Sequence, residues 1–297
     1  MNKDTFAGFH PLVNMMYFVS VIGFAMFFMH PVSLAISLVC AFTYAVYLNG
    51  KKAVKVGLIF MLPMMILTAG LNPLFNHQGG TILTYLPNGN PVTFESTMYG
   101  IAAAVMLITV IAWFSCANRI MGSDKIVYIS GRVLPALSLI LAMSLRFVPR
   151  FREQIRVISN AQKCIGRDVS RGTVLQKVRH GIRVLSITVT WALENAIDSA
   201  DSMKARGYGL PGRTAFSIYR FDKRDGMAAV YILTCAAAVI AGVVTGAYRF
   251  RYFPTIRGEY AGFWTVGVFA AYFALCAMPM VINIREDLIW RRIESKA

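Results

Sequence analysis

The sequence predicts an all-α polytopic membrane protein, with about six transmembrane helices and long amphipathic helices on the cytoplasmic side. Three observations predict it. Hydrophobic residues fill 57% of the 297 positions and charged residues 15%, against roughly 45–50% and 25% in soluble domains. The apolar residues form long runs nearly free of charge; residues 11–48 contain no Asp, Glu, Lys or Arg. The basic residues collect instead in one stretch. Residues 146–225 hold 12 Arg and 4 Lys against 7 acidic residues, more than half of the chain's excess of +16.

Residues 1–117 read as four spans. His30-Pro31 divides the first uncharged run into two spans of about 17–20 residues, enough to cross hydrocarbon. Asn49-Gly50-Lys51-Lys52 then breaks the pattern, and Lys55 adds charge, which places this loop and the N-terminus inside. The N-terminus lacks the basic cluster and cleavage site of a signal peptide. A third span covers about 54–71, with a kink expected at Pro63. Residues 72–97 form an external segment, where Asn88-Gly89 between β-prone runs predicts a hairpin. The fourth span covers about 98–117.

Residues 118–226 contain no ordinary span. Their charge places them in the cytoplasm, and the apolar stretches 135–147 and 185–197 are too short to cross comfortably. Phe151, Ile155, Ile158, Gln162 and Ile165 predict an amphipathic helix with Arg152, Arg156, Asn160, Lys163 and Arg167 largely off its apolar side. Gly166 marks its stop, and Arg171-Gly172 and Gly181 mark turns. A second helix follows, with Leu185, Val189, Ala192, Ala196, Ala200 and Met203 on one face and Glu194, Asp198 and Asp201 on a polar one. Gly207 ends it, Leu210-Pro211-Gly212-Arg213 follows, and Lys204 and Arg206 sit where a helix C-terminus favours cations.

Residues 227–297 hold two more spans, about 227–247 and 262–282, and a basic tail from Asn283 read as a short internal helix. Between the spans, Arg249, Arg251 and Arg257 face only Glu259. Parity puts this loop outside, against the positive-inside trend.

The charge does not mark a nucleic-acid binder. No zinc-finger or RNA-binding signature accompanies it, and basic segments beside anionic lipid account for it. Five cysteines and four histidines are dispersed without a Cys-x-x-Cys or Cys/His cluster, which argues against a disulfide framework or zinc site. The histidines read as loop or interface residues. No cofactor is expected. Residues 166–173 miss a Walker A motif by one residue and a lysine, so ATP hydrolysis is assigned elsewhere, and the chain reads as non-catalytic. Glu194, Asp198 and Asp201 read as a solvated face; an ion-coupled secondary transporter that uses them stays open as an alternative.

Residues Ser199-Ala200-Asp201-Ser202-Met203-Lys204-Ala205-Arg206-Gly207-Tyr208 resemble the second Ala-Arg-Gly signature of the transmembrane T component of energy-coupling factor transporters, ATP-driven importers of vitamins and metal ions in prokaryotes. His10-Pro11-Leu12-Val13-Asn14 resembles that family's entry into its first span. Met143-Ser144-Leu145-Arg146-Phe147-Val148-Pro149 resembles the Arg-Phe-x-Pro segment opening its first coupling helix, and Ala161-Gln162-Lys163-Cys164-Ile165-Gly166 stands where the first Ala-Arg-Gly belongs. The resemblance implies a plasma-membrane protein whose two cytoplasmic coupling helices rest on two ABC-type ATPase subunits, while its spans cradle a separate substrate-binding S component. It assigns ATPase docking to Ala205, Arg206 and Gly207 and to Cys164, Ile165, Gly166 and Arg167, and coupling-helix support to Arg146, Pro149 and Asp201. The first motif departs from the pattern, because Ile165 stands where arginine is expected. Either Arg167 substitutes from a shifted position or this end docks by apolar contact. A permease of a conventional ABC importer is the alternative within the same class.

Overall fold

In a computed structural model the described residues are 4–85, 87, 89–167, 173–208, 210, 219–246, 248–258 and 262–294. Contacts divide the chain into two units, Met1–Gly122 with Tyr219–Ala297, and Ser123–Ile218.

The first unit is a helix bundle. Its helices are α1 (Pro11–Phe27), α2 (Pro31–Asn49), α3 (Lys51–Val56), α4 (Leu62–Phe75), α5 (Phe94–Ile120), α9 (Lys223–Val244) and α10 (Phe263–Glu294). Two small antiparallel pairs accompany them: β1 (Ile82–Tyr85) with β2 (Pro91–Thr93), and β3 (Phe250–Arg251) with β4 (Arg257–Gly258). α5 packs on α1, α2 and α4, and α10 packs on α2 and α9. The core of these contacts is aromatic: Tyr17, Tyr44, Trp113 and Tyr272 are all buried. The Trp113 indole N–H donates to Ser37 Oγ at 2.9 Å. α4 and α5 come close at Gly100, where a Cβ would lie 2.8 Å from the Ala69 carbonyl oxygen.

Two His-Pro pairs start α1 and α2 by the same device. Proline sits at the first helical position, where its missing N–H costs nothing. The preceding histidine caps the helix: His10 Nδ1 accepts from the Leu12 amide at 3.3 Å, and His30 Nδ1 from the Val32 amide at 3.2 Å. Both histidines are buried, so the loop-or-interface reading is replaced by a capping role.

Polar contacts gather at two ends of this bundle. At one end Asn283 Oδ1 accepts from the Thr5 amide at 2.9 Å, Tyr44 donates to Asp4 at 3.0 Å, and Tyr47 donates to Asp287 at 3.1 Å. There too the His10 amide donates to Asp225, whose other oxygen accepts from Asp222 in the capping box of α9. At the other end the Tyr252 hydroxyl donates to the Met29 carbonyl at 2.8 Å, and the Gly80 amide donates to the Pro254 carbonyl at 3.1 Å. The basic 248–258 segment therefore shares its end with the 76–93 segment, opposite Asp4 and Asp287.

Among the described residues, five helical stretches are long and apolar enough to cross a membrane: Pro31–Asn49, Ala53–Phe75, Phe94–Ile120, Lys223–Val244 and Phe263–Glu294. α1 has 17 residues, about 25 Å, but it starts at His10 on one end and leads to Met29 on the other. It joins the same two ends as the longer helices.

Two details differ from expectation. The irregularity in the third span is a π-helical stretch, Gly57–Met61, and Pro63 follows it in the first turn of α4, where proline is tolerated. The basic tail is not a separate helix. α10 runs on to Glu294, because Asn283 is buried at the bundle end and ties the helix to residues 4–6.

Candidate functional site

The second unit holds α6 (Ser123–Val133), α7 (Pro135–Cys164) and α8 (Val174–Ala205). α7 packs on both neighbours. Its 30 residues and the 32 of α8 correspond to rods of about 45–48 Å. Both carry broad apolar arcs beside basic ones, the pattern of helices lying on a surface. Gly181 lies inside α8, which begins at Val174 with Thr173 and Gln176 forming a capping box. Residues 168–172, 209 and 211–218 lie outside the described residues, and with them the Arg171-Gly172 turn, part of the near-Walker stretch and the Pro211-Gly212-Arg213 segment.

The two rods meet at an aromatic contact. The Phe151 and Trp191 rings lie 5.6 Å apart edge to face, and the Arg150 guanidinium lies 5.8 Å from the Trp191 ring centre. About two turns further along each helix, in opposite chain directions, Ile158 and Val184 are each only 7% exposed. The nine residues between Cys164 and Val174 are too few to carry α8 back past this contact, so the pair is antiparallel. Arg150 is drawn to the ring of Trp191. Arg146 is exposed one turn earlier. Pro149 does not open a helix. It lies within α7, where it removes the N–H that the Leu145 carbonyl would accept.

The inward face of α8 is rotated from the expected one. Val184 and Thr188 are buried, and Trp191, Asn195, Ser199 and Met203 are half-buried, whereas Leu185 is 61% exposed and Val189 is exposed as well. The apolar arc of α8 is wider than one neighbour can cover, and the Trp191 contact selects its edge. Leu185, Val189, Leu193 and Ile197 are left exposed. Glu194, Asp198 and Asp201 are exposed too, and Asp201 stands 4.0 Å from Lys204. Among the described residues no three His, Cys, Asp or Glu side chains are grouped to hold a metal.

The two helix ends are built alike. At α8 the Tyr208 amide donates to the Met203 carbonyl and the Gly207 amide to the Lys204 carbonyl, both at 3.0 Å, with Gly207 at φ +77°. At α7 the Arg167 amide donates to the Gln162 carbonyl and the Gly166 amide to the Lys163 carbonyl, again at 3.0 Å, with Gly166 at φ +77°. Each is a Schellman termination, which needs a residue free to turn left-handed. The backbone thereby sets Cys164 against Ala205, Ile165 against Arg206, Gly166 against Gly207 and Arg167 against Tyr208. Ile165 is 64% exposed, and Cys164, Arg167 and Arg206 are exposed as well. Because the rods are antiparallel, the two ends lie on opposite sides of the Trp191 crossing, each roughly 20 Å along its helix. Sequence reasoning did not single out Trp191 as the crossing point; its one signal is that α8 carries no other Phe, Tyr or Trp.

Removing the ring should loosen this crossing. Trp191→Ala is expected to lower the thermal midpoint of the detergent-purified chain by several degrees, because a half-buried ring and a cation–π contact are lost together, roughly 2 kcal/mol. Trp191→Phe is expected to recover most of it. A midpoint unchanged in the alanine variant would show that the rods are held elsewhere.

Fold and site together define an all-α polytopic membrane protein carrying a pair of long amphipathic helices with matching ends. No family model matches the sequence. Its similarity is to the energy-coupling factor transporter transmembrane protein EcfT: 34% identity over 105 residues with that of Lactococcus lactis subsp. cremoris, covering 35% of this chain and 40% of that protein. The protein of Bacillus selenitireducens is 29% identical over 196 residues, 62% of this chain and 72% of its own length. That of Streptococcus thermophilus is 38% identical over 98 residues, 33% and 37% of the two chains. The chain thus spans about two fifths of the Lactococcus and Streptococcus proteins.

Proposed function

We propose that the chain is the transmembrane coupling subunit of an energy-coupling factor importer. It transmits ATP-driven movement of two ABC-type ATPase subunits to a separate substrate-binding membrane subunit, and so drives uptake of a vitamin or metal ion. One observation carries the reading: two helix ends of the same backbone form, exposed at opposite ends of one antiparallel pair. Two separated ends suit two separate ATPase subunits, and a stiff helix pair converts their approach into displacement at the crossing. In this reading α7 and α8 face the cytoplasm of a prokaryote, the bundle lies in the plasma membrane, and catalysis resides in the partners. Arg206 offers a planar fork of donors suited to carboxylates or carbonyls on a partner. Arg146, Pro149 and Asp201 support the helices rather than dock.

Purification through this chain from native membranes, followed by mass spectrometry of the intact complex, tests the reading. Two ATPase subunits and a small membrane protein are expected. Recovery of the chain alone, or uptake by the chain reconstituted without ATP, would sink it.

A further inference from the structure

We infer that the two helix ends dock by unlike chemistry, α8 through a cation and α7 through an apolar side chain, so that the two ATPase subunits present two different grooves. This rests on the coupling reading above. The backbone argument is direct. Because both ends close with the same pair of 3.0 Å hydrogen bonds around a glycine at φ +77°, residues can be matched position by position. Ile165 then occupies the place of Arg206.

Arg167 does not restore the missing charge. It matches Tyr208, beyond the left-handed glycine, where the chain has already turned away from the helix axis. A shift of one position would break the hydrogen-bond pattern that both ends share. Apolar contact at the α7 end is therefore the reading that remains.

The two side chains make opposite demands on a partner. A guanidinium taken out of water needs acceptors, best a carboxylate, placed for its fork. An isoleucine set against such a carboxylate would leave that charge buried without a partner. A groove good for one is poor for the other. Ile165 suits an apolar groove lacking a buried carboxylate, and Arg206 suits a groove lined with acceptors.

The test exchanges the chemistry at each end and counts the partners. Recovery of ATPase subunits with the full chain from solubilised membranes is compared for Ile165→Arg, Ile165→Val and Arg206→Ile. Ile165→Arg and Arg206→Ile are each expected to lower recovery about tenfold or more, and Ile165→Val, which keeps a branched apolar side chain, to lower it by about threefold at most. Native mass spectrometry is expected to resolve two ATPase masses. Undiminished recovery with Ile165→Arg, or two identical ATPase copies, would overturn the inference while leaving the coupling reading in place. Failure of the unaltered chain to recover any ATPase would overturn both. Ile165 and Arg206 are exposed at the helix ends, so elution of each variant as a single folded species is expected to match that of the unaltered chain.

Discussion

Arg206→Ala is expected to reduce ATPase recovery about 30-fold while membrane insertion stays intact. The factor corresponds to a hot-spot loss of about 2 kcal/mol. The size matters because a purely local role predicts something smaller. A cation compensating an exposed helix C-terminus contributes about 0.3–1 kcal/mol, and that loss falls on helix stability. The Schellman bonds use backbone groups alone, so the helix end should survive the substitution. A docking loss without a change in thermal midpoint therefore separates the anchor from the dipole role. Arg206→Lys keeps the charge but loses the planar fork, and an intermediate recovery is expected. Full recovery and transport with alanine would remove Arg206 from the docking site.

Trp113→Ala is expected to be the most damaging single change in the bundle, on the order of 3 kcal/mol. Trp113 on α5 is fully buried. Its ring stands edge to face with Tyr17 of α1 at 6.1 Å and lies 6.5 Å from Tyr44 of α2. Its N–H satisfies the buried Ser37 hydroxyl oxygen. Within a bilayer, apolar side chains gain little by leaving lipid, so helix association rests on such packing and hydrogen bonds. Alanine removes both and leaves a cavity where three helices meet. Trp113→Phe keeps part of the ring contacts and loses the hydrogen bond and the volume of one ring, and its loss should be about half as large. Thermal unfolding in one detergent, followed by the remaining tryptophans, measures both. Equal midpoints for the alanine variant and the unaltered chain would show that this junction does not hold the bundle.

The spans were legible because a bilayer imposes one blunt demand, length without charge. Residues 11–48, 98–117 and 262–282 meet it visibly. The break at His30-Pro31 was legible, but the reason those histidines stand there was not. Their ring nitrogens act as helix caps, a task usually done by Ser, Thr, Asp or Asn. The Gly57–Met61 π-turn left no mark beyond Pro63, because it depends on how one backbone stretch is packed. In the candidate site, the helix stops at Gly166 and Gly207 could be read directly, since few other residues tolerate the left-handed turn. The inward face of α8 could not. Val184 and Leu185 are adjacent and both apolar, and only the neighbour across Trp191 decides which is covered.

Composition and local pattern alone thus determined the membrane class, the long uncharged runs, the C-terminal parts of the two amphipathic rods and their glycine stops. These follow from transfer out of water and from backbone sterics, which act residue by residue. The tertiary structure alone decided that 248–258 shares an end with 76–93, that α10 is tied at Asn283 to residues 4–6, and that Arg150 and Phe151 meet Trp191. It also closed both helix ends with the same hydrogen bonds, which matches Arg167 to Tyr208 and not to Arg206. Each of those depends on residues far apart in the chain, or on hydrogen bonds that close a turn, and neither hydropathy nor spacing carries that information.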